Sequence, residues 1–233
     1  MSATYADQQV IEIESVPPQP STWEEAYLRF ETPQQEVRKF QKRLVTLGAT
    51  KWSRDAQVVE LFCGRGNGLR ALHNLGFDHV EGIDISPCLA SRYRGPGRIM
   101  VADCRELPLP DASRDALIVQ GGLHHLPSLP EDLEQTLAEA VRVLRPDAHF
   151  VAVEPHLTPF LSCVHFVCEQ RAARWLSRKV DALATMIENE RTTYDRWLQQ
   201  GELVLATLHK FFDPEVQTVA WGKLNFVGRP KKR

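Results

Sequence analysis

Short apolar runs alternate with helix-periodic stretches between Gln57 and Glu154. Five runs have the length and β-branched content of buried strands: Val58–Phe62, Val80–Asp84, Arg98–Ala102, Asp115–Gln120 and His149–Val153. Three stretches between them have helical spacing: Asn67–Leu75, Pro87–Arg94 and Leu129–Leu144, the last opened by a capping box at Ser128–Glu131. Strands alternating with helices imply parallel pairing through right-handed crossovers, so the pattern predicts a doubly wound α/β sheet.

The N-terminal segment predicts a flexible arm followed by two helices. The run Pro17–Pro20 separates residues 1–20, the expected arm, from the folded body. Ser21–Glu24 and Thr32–Gln35 both have capping-box spacing, and Pro33 occupies the first helical position of the second helix. Residues 21–50 are therefore expected to form a helical cap.

The segment after Glu154 breaks the strand–helix rhythm. Residues 157–212 have helical composition, and no Gly or Pro interrupts the roughly 40 residues between Pro159 and Gly201. A single helix of that length would reach about 60 Å, so we expect several helices with a bend. Together with the N-terminal helices, this region is expected to form the acceptor pocket and a lid; the alternative is a dimer face or a membrane-surface patch. Residues 213–228 alternate around Trp221–Lys223, which predicts an antiparallel hairpin on the sheet edge.

Composition places the chain among globular proteins. It has 233 residues, 43% apolar and 25% charged, with a net charge of −2, so there is no global electrostatic case for binding nucleic acid. The acid-rich first 36 residues and the basic last five are interpreted as solvated ends. The five cysteines contain no C-x-x-C pair, so neither a disulfide framework nor a metal site is expected.

Nothing in the sequence pattern indicates secretion or membrane insertion. The N-terminus has no basic region followed by an apolar run, and the most apolar stretch, Phe160–Cys168, is far below the roughly 20 residues that a membrane span needs. We therefore expect a cytoplasmic location.

A glycine-rich turn joins the first predicted strand to the first helix of the alternating region. The run Val58–Gly68 reads VVELFCGRGNG, and such a turn lets backbone N–H groups approach a ligand closely. The dinucleotide fingerprint requires Gly or Ala where Leu69 stands, and Glu60 would repel a pyrophosphate but attract an ammonium group. The pattern favours a cationic or zwitterionic nucleoside, although glycines can also serve strand–helix packing alone.

Two aspartates end the next two predicted strands. Asp84 can accept from both ribose hydroxyls of a nucleoside lying across the strand tips, or it can cap the helix start at Ser86. Asp103 can accept from an exocyclic amine of a base, with the Cys104 backbone beside the ring edge, or it can be a turn residue. Because the strand tips share one edge of the sheet, the three acids are expected to line one crevice.

Taken together, these motifs resemble a class I S-adenosylmethionine-dependent methyltransferase of the small-molecule type. The resemblance covers about residues 55–156 and rests on five segments: Val58–Gly68, Glu81–Ser86, Ala102–Asp111, Asp115–Leu126 and Leu144–Pro155. It implies that residues 21–233 form one methyltransferase domain with a cofactor-binding core at 55–156, a mostly parallel seven-stranded sheet, an antiparallel edge hairpin and a helical lid. It also implies S-adenosylmethionine as cofactor.

The resemblance assigns cofactor contacts residue by residue. The implied positions are Glu60, Gly64, Gly66, Asp84, Ile85, Asp103, Cys104 and Gln120. Phe62 departs from the family, in which a glycine is common at that position, and is expected to narrow the pocket beside the methionine moiety. Arg114 stands where an aromatic residue usually precedes the acid of the fourth strand, and this departure is expected to have no effect on function.

Histidines near the expected methyl position are candidate general bases. His125 follows the fourth predicted strand and His156 follows the fifth, and a base is needed when the acceptor is a hydroxyl or an acidic carbon. The competing interpretation is that one residue of the His124–His125 pair packs while the other binds a loop carbonyl. Replacing His125 or His156 by alanine is expected to lower turnover while cofactor binding survives.

Several acceptor classes lack their sequence signatures. Gln120–Leu123 stands where amino methylation of adenine or glutamine normally places Asn/Asp-Pro-Pro-aromatic, and no Pro-Cys follows the fourth strand for pyrimidine methylation. The expected reaction is methyl transfer to an O, N or C atom of a small molecule. The alternatives are a methyltransferase acting on protein or RNA, and a non-catalytic cofactor-binding module; a homodimer is also open.

Overall fold

The computed structural model describes residues 20–231, so the predicted flexible arm at residues 1–20 lies almost entirely outside the described residues. The described part contains one seven-stranded sheet. Its strands are β1 (Val58–Leu61), β2 (Val80–Asp84), β3 (Arg98–Val101), β4 (Arg114–Gln120), β5 (Leu144–Pro155), β6 (Phe212–Ala220) and β7 (Lys223–Pro230).

The sheet has the predicted doubly wound topology. The strand order is β3-β2-β1-β4-β5-β7-β6. Strands β1 to β5 pair in parallel, whereas β7 runs antiparallel to both β5 and β6. The edge hairpin is confirmed, with Trp221 and Gly222 in the turn at positive φ values of 51° and 75°. The order in which strands are added to the sheet reverses between β1 and β4, which places a crevice at the carboxyl ends of these parallel central strands.

Ten helices surround the sheet in the described part of the chain. They are α1 (Thr22–Phe30), α2 (Pro33–Thr46), α3 (Asn67–Asn74), α4 (Pro87–Ala90), α5 (Glu131–Val143), α6 (Pro159–Glu169), α7 (Arg171–Leu176), α8 (Arg178–Asn189), α9 (Arg191–Gln199) and α10 (Gly201–Phe211). None of the helices in residues 20–231 has the length and apolar character to cross a bilayer.

Alternation along the central strands produces two cores. In β1, Val59 and Leu61 belong to a cluster that contains Leu137 of α5 and Leu208 of α10. Val58, one position earlier, belongs to the opposite cluster, which is built with α2 and α3. Successive strand residues point to opposite faces, so both faces of the sheet are covered by helices, as the continuous apolar runs predict.

The helix starts follow the predicted capping chemistry, with one exception. Ser21 and Thr32 form reciprocal capping boxes with Glu24 and Gln35 at the starts of α1 and α2. The predicted box at Ser128 is wrong, because α5 begins at Glu131 and the Ser128 hydroxyl pairs with Asp132 instead. Helix α5 therefore starts two residues after the predicted first residue, Leu129.

The segment after β5 forms five helices, as the length argument required. Helix α8 packs against α1 on one side and against α6 and α7 on the other. Arg29 of α1 bridges to Asp181 of α8 at 3.1 Å, and Lys179 of α8 bridges to Glu31 at 3.0 Å. The N-terminal cap and the later helical region therefore form one assembly over the carboxyl ends of the strands.

Candidate cofactor and acceptor site

The glycine-rich turn between β1 and α3 has the backbone geometry that its sequence requires. Gly64 and Gly66 have φ values of 52° and 75°, and Gly66 caps α3 in the left-handed conformation. Phe62 also has a positive φ, 54°, at the position where the resemblance implied glycine. A non-glycine residue in this region is strained, and strain of this kind is common at binding sites.

A cavity of about 460 Å³ lies at the carboxyl ends of β1, β2 and β4. Its volume falls within the range of about 300–1,000 Å³ that is usual for small-molecule sites. Seven of the eight implied cofactor positions line it: Glu60, Gly64, Asp84, Ile85, Asp103, Cys104 and Gln120. Gly66 shapes the turn behind this wall. The structure thus brings together side chains that the strand-tip argument placed in one crevice.

Glu60 is a buried carboxylate whose pairing is incomplete. It is 2% exposed; Gln120 donates to its Oε1 at 3.1 Å, and Oε2 has no hydrogen-bond partner among residues 20–231. Burial raises its pKa to about 8, and the negative charges of Glu36 and Asp84 add to this rise against the opposing effects of Gln120 and Arg43. Space for the carboxylate comes from Gly68, where a Cβ would overlap both oxygens.

Asp84 is held in place by backbone donors at the tip of β2. Gly64 N–H donates to Oδ2 at 2.6 Å and Ser86 N–H donates to Oδ1 at 2.8 Å. Burial raises the pKa of this carboxyl, although the two N–H groups oppose the rise. Asp84 thus binds the backbone N–H of Ser86, although Ser86 itself is the N-cap of α4, and it also lines the cavity, as the ribose interpretation requires.

Asp103 is more exposed and already paired. Arg105 clamps its carboxylate, with Nη2 at 2.6 Å from Oδ2 and Nε at 3.0 Å from Oδ1. The hydrogen bonds and charge of Arg105 lower the pKa of Asp103. Arg105 also reaches Asp132 of α5 at 2.7 Å. The carboxylate is therefore ionised and oriented, but a ligand amine would have to share it with Arg105.

Helix α1, one of the N-terminal helices expected to contribute to the acceptor pocket, forms a wall of the cavity. Trp23, Glu24 and Tyr27 line it, and Glu24 accepts a hydrogen bond from the Ser86 hydroxyl after β2. The Trp23 ring stacks on Tyr27 at 5.4 Å and meets His125 edge-on at 5.1 Å. In the part of the chain that the structure describes, the buried Trp23 indole N–H has no hydrogen-bond partner. The capping box predicted the helix, but only its packing on α8 places it over the site.

The interpretation of the N-terminal acids as a solvated end is wrong for Glu36. This residue is 4% exposed and accepts from Arg65 Nη2 at 2.9 Å and from Asn67 Nδ2 at 2.6 Å. Tyr27 donates to its other oxygen at 3.1 Å. The glycine-turn residues Arg65 and Asn67 therefore attach the helical cap to the cofactor loop. Asp7, Glu12 and Glu14 lie outside the described residues.

Two adjacent histidines follow β4 in different surroundings. His124 is buried, and its Nδ1 lies 2.8 Å from Oε2 of Glu154 at the end of β5. Glu154 also accepts from the N–H groups of Gly122 and Leu123 at 2.8 and 3.0 Å. Although burial opposes it, the hydrogen bond and charge of Glu154 raise the pKa of His124. This pair fixes the loop, in agreement with the packing alternative for one of the two histidines.

His125 faces the cavity and meets an acid from the helical region. Its Nδ1 lies 2.7 Å from Oε2 of Glu190, between α8 and α9, and both residues line the cavity. The ring lies 6.5 Å from that of Phe62. Gly122 makes room for Phe62, because a Cβ on that glycine would overlap the phenyl ring. Phe62 lines the cavity, and the expected narrowing of the pocket beside the methionine moiety stays a prediction.

His156 needs a correction as a site residue, because the structure does not bring it to the cavity wall. Its Nδ1 lies 3.2 Å from the Leu157 carbonyl oxygen, and its ring packs beside Gly201 at the start of α10. The strand β5 continues to Pro155, two residues beyond the predicted end, and carries His156 past the crevice. Of the two candidate bases, His125 is the one near the expected reaction centre.

His124, His125 and Glu190 also place one potential ligand atom each within 4.8 Å of one another. Two imidazoles and a carboxylate can hold a first-row divalent ion. Each histidine Nδ1, however, is within 2.8 Å of a carboxylate oxygen. We interpret the group as a chain of imidazole–carboxylate pairs.

Comparison with protein families gives an independent assignment. Residues 59–152 match the family model described as "Methyltransferase domain". This segment contains the glycine turn, both strand-tip aspartates and the two histidines of the site. This match agrees with the resemblance of the motifs to class I S-adenosylmethionine-dependent methyltransferases.

Curated relatives match this methyltransferase domain over part of their length. The chain is 31% identical over 102 residues to the ubiquinone/menaquinone biosynthesis C-methyltransferase UbiE of Caulobacter sp. (strain K31), covering 41% of this chain and 39% of that protein. It is 28% identical over 127 residues to the protein of the same name from Methylobacterium nodulans, covering 50% and 49%. The alignments thus span half or less of these relatives.

Solved structures extend the likeness in fold to nearly the whole chain. A crystal structure of a protein from Pyrococcus horikoshii OT3 has a TM-score of 0.67 at 20% identity and covers 91% of this chain and 100% of that chain. A methyltransferase from Methanococcus maripaludis has a TM-score of 0.62 at 11% identity, covering 94% and 98%. At these identities the comparison shows the fold, including the helices around the methyltransferase core.

Proposed function

We propose that this protein transfers the methyl group of S-adenosylmethionine to a small-molecule acceptor. The observation that carries the proposal is the convergence of Glu60, Asp84 and Asp103 on one cavity that also contains His125. The first three are suited to bind a charged nucleoside, and the fourth is suited to accept a proton. Such an arrangement supports a methyltransferase over a module that binds the nucleoside without turnover.

The residues around the glycine turn fit the cofactor. The unpartnered Oε2 of Glu60 is matched to the ammonium group of the methionine moiety, which would supply the missing counter-charge. Asp84 retains lone pairs for ribose hydroxyls, and the exposed apolar side chain of Ile85 lies beside it at the rim. Asp103 and the Cys104 backbone are placed for the edge of the adenine. When bound, the cofactor supplies an activated methyl group on its sulfonium.

The remaining wall of the cavity positions the acceptor. Trp23, Phe62 and Leu126 give it apolar surface, and α1 shields it from water. Alignment of an acceptor with the methyl group is the main requirement for transfer and can contribute about 7–11 kcal/mol. His125 takes a proton at Nε2, because its Nδ1 faces Glu190.

A carbon acceptor activated by a neighbouring hydroxyl fits this geometry. The name of the curated relatives describes them as C-methyltransferases of ubiquinone and menaquinone biosynthesis. An aromatic ring with a hydroxyl group would stack against the apolar wall and give its hydroxyl proton to His125, which increases electron density on the adjacent carbon. Because the apolar wall and His125 suit such a ring, we propose that this chain, like those relatives, methylates a carbon atom of its acceptor. The free state of all five cysteines is consistent with a reducing, cytoplasmic location.

The experiment is a transfer assay with S-adenosylmethionine labelled at the methyl carbon. Phenols and hydroquinones with a free ring position are compared with methyl ethers of the same compounds and with primary amines. The proposal predicts label on a ring carbon of the free phenols alone. Label on protein or RNA, or on no acceptor while the cofactor binds, would contradict it.

A further inference from the structure

The outward side of α6 is apolar, although it faces solvent. Phe160, Cys163, Phe166 and Val167 are exposed and recur at helical spacing along one side, with Phe166 63% exposed. The opposite side carries the buried Cys168 and the His165–Tyr194 hydrogen bond of 3.1 Å. An ordinary surface helix has polar residues on its outward side, whereas the outward side of α6 is apolar like its inward side, where Leu161 packs against the core.

Helix α7 continues this surface. Trp175 and Leu176 are 86% and 76% exposed, and no residue of α7 is buried. Arg171 lies one helical turn before Trp175 and is also exposed. Arg174, on the other side, binds Asp181 at 3.2 Å and also pairs with Glu188, both of α8. The paired side of α7 therefore faces α8, and the aromatic side points away from the molecule.

The turn of the edge hairpin adjoins the start of α6. The ring of Trp221, 76% exposed, meets that of Phe160 edge-on at 5.4 Å. Gly222 packs closely against Leu161, on the first turn of α6. We call the exposed residues Phe160, Cys163, Phe166, Val167, Trp175, Leu176 and Trp221 the α6–α7 face. Contiguous apolar surface of this kind usually marks a site of contact with a protein or a membrane.

The charges around the α6–α7 face are mostly positive. Between Leu157 and Lys179 the single acid is Glu169, against Arg171, Arg174, Arg178 and Lys179. Arg174 and Lys179 are bound to carboxylates of α8 and of the α1–α2 connection. Within residues 20–231, no carboxylate forms an ion pair with Arg171 or Arg178, and both are exposed. The face thus combines aromatic side chains with unneutralised cations.

We propose that the α6–α7 face docks on the surface of an anionic lipid bilayer. Trp and Phe side chains favour the boundary between headgroups and acyl chains, and arginine beside them binds lipid phosphate. A second copy of the chain would bring Arg171 and Arg178 against the same positive surface, so charge favours the bilayer. The docked face adjoins α8, and Glu190, just past the end of α8, lines the methyl-transfer cavity. The inference stands on the face itself and does not depend on the transfer reaction.

Sedimentation with vesicles tests the proposal on the full chain. Vesicles of phosphatidylcholine with an equal part of phosphatidylglycerol are compared with vesicles of phosphatidylcholine alone. We expect binding to the anionic vesicles that weakens as salt rises. Replacing Trp175 and Leu176 together by alanine should lower the partition coefficient at least about tenfold, because both lose apolar burial. Arg171→Glu with Arg178→Glu should lower it about tenfold or more on anionic vesicles.

Matched controls come from the exposed side of α2. Val45→Ala removes a side chain that is 44% exposed, and Arg38→Glu reverses an exposed charge away from the α6–α7 face. Both controls should sediment like the wild-type protein. The proposal would be overturned if wild-type protein stayed in the supernatant. It would also be overturned if the α6–α7 variants and the controls changed vesicle binding equally.

Cys163 offers a readout at the face itself. It is the exposed one of the five free cysteines, and the other four are buried. A polarity-sensitive dye attached there should shift its emission to the blue when anionic vesicles are added. An unchanged emission would contradict docking through this face. The emission could instead shift with protein concentration in the absence of vesicles. Together with a dimer in analytical ultracentrifugation, that result would show that a second copy of the chain covers the face.

Discussion

His125 Nδ1 lies 2.7 Å from Oε2 of Glu190, so a loop after β4 and a helix junction far along the chain meet at the cavity. Glu190 Oε1 lies 3.8 Å from His124 Nε2, which places this carboxylate between both histidines. The contact with His125 is an ion-pair approach, since Oε2 of Glu190 accepts no hydrogen bond within residues 20–231, and it leaves Nε2 of His125 free to accept a proton. Glu190 is therefore a positioning residue for His125 in the proposed reaction.

Replacing His125 by alanine should lower kcat by a factor of about 10²–10⁴, the usual contribution of a general base. The Kd for S-adenosylhomocysteine should change little, because the cofactor-binding residues remain. Glu190→Gln should lower kcat less, by about tenfold, and should change the pH profile of kcat. Steady-state kinetics and equilibrium binding measure these separately.

His156→Ala is the matched control for this prediction. Its imidazole packs beside Gly201 and does not line the cavity, so kcat should stay close to that of the wild-type protein. Equal losses in the His125 and His156 variants would contradict the assignment of the base to His125.

Asp84→Asn should weaken cofactor binding more than Asp103→Asn does. Asp84 accepts two backbone N–H bonds and lines the buried part of the cavity, and a charge-assisted bond contributes roughly 1.5–3 kcal/mol, so Kd should rise about ten- to hundredfold. Asp103 is 35% exposed and already shared with Arg105, so its loss should raise Kd less than tenfold. Isothermal titration with S-adenosylhomocysteine measures both. The reverse order would mean that the ribose is not bound at Asp84.

The core of the site was predictable because its signals are local. The strands, the glycine turn and the aspartates at the strand tips follow each other in sequence, and parallel pairing brings those tips to one edge. Trp23 and Glu190 gave no such signal. The position of each residue depends on the packing of α1 against α8, two helices that are separated by about 150 residues in the sequence. The interpretation of Glu36 as part of a solvated end is wrong for the same reason, since its partners Arg65 and Asn67 reach it only in the folded protein.

Gly122→Ala should disturb the site more than Gly121→Ala. A Cβ at Gly122 would overlap the Phe62 ring, which must then move within the cavity, whereas a Cβ at Gly121 would meet only His124 Cε1 at 4.0 Å. Gly121 has a positive φ of 84°, so its substitution should cost about 1 kcal/mol of unfolding free energy through backbone strain. Thermal unfolding and cofactor titration compare the two variants. Equal effects on Kd would show that Phe62 does not shape the pocket.

The raised pKa of Glu60 should make stability depend on pH. The unfolded carboxyl titrates near 4.5 and the folded one near 8, so the stability associated with its neutral form is fully present below about pH 4.5. It is lost as the pH rises through about 8. In the Glu60→Gln variant, the free energy of unfolding should not show this decrease with rising pH. Denaturant titrations at intervals between about pH 5 and 9 measure it, and parallel curves for the two proteins would contradict the raised pKa.

Calorimetric titration with S-adenosylhomocysteine near pH 7, in buffers with different heats of ionisation, tests the central claim most directly. The account predicts one ligand bound per chain and the release of close to one proton, because the ligand ammonium stabilises ionised Glu60, whose pKa is about 8 in the free protein. The Glu60→Gln variant should bind without that release. An absence of binding heat in every buffer would contradict a cofactor site bounded by Glu60, Asp84 and Asp103.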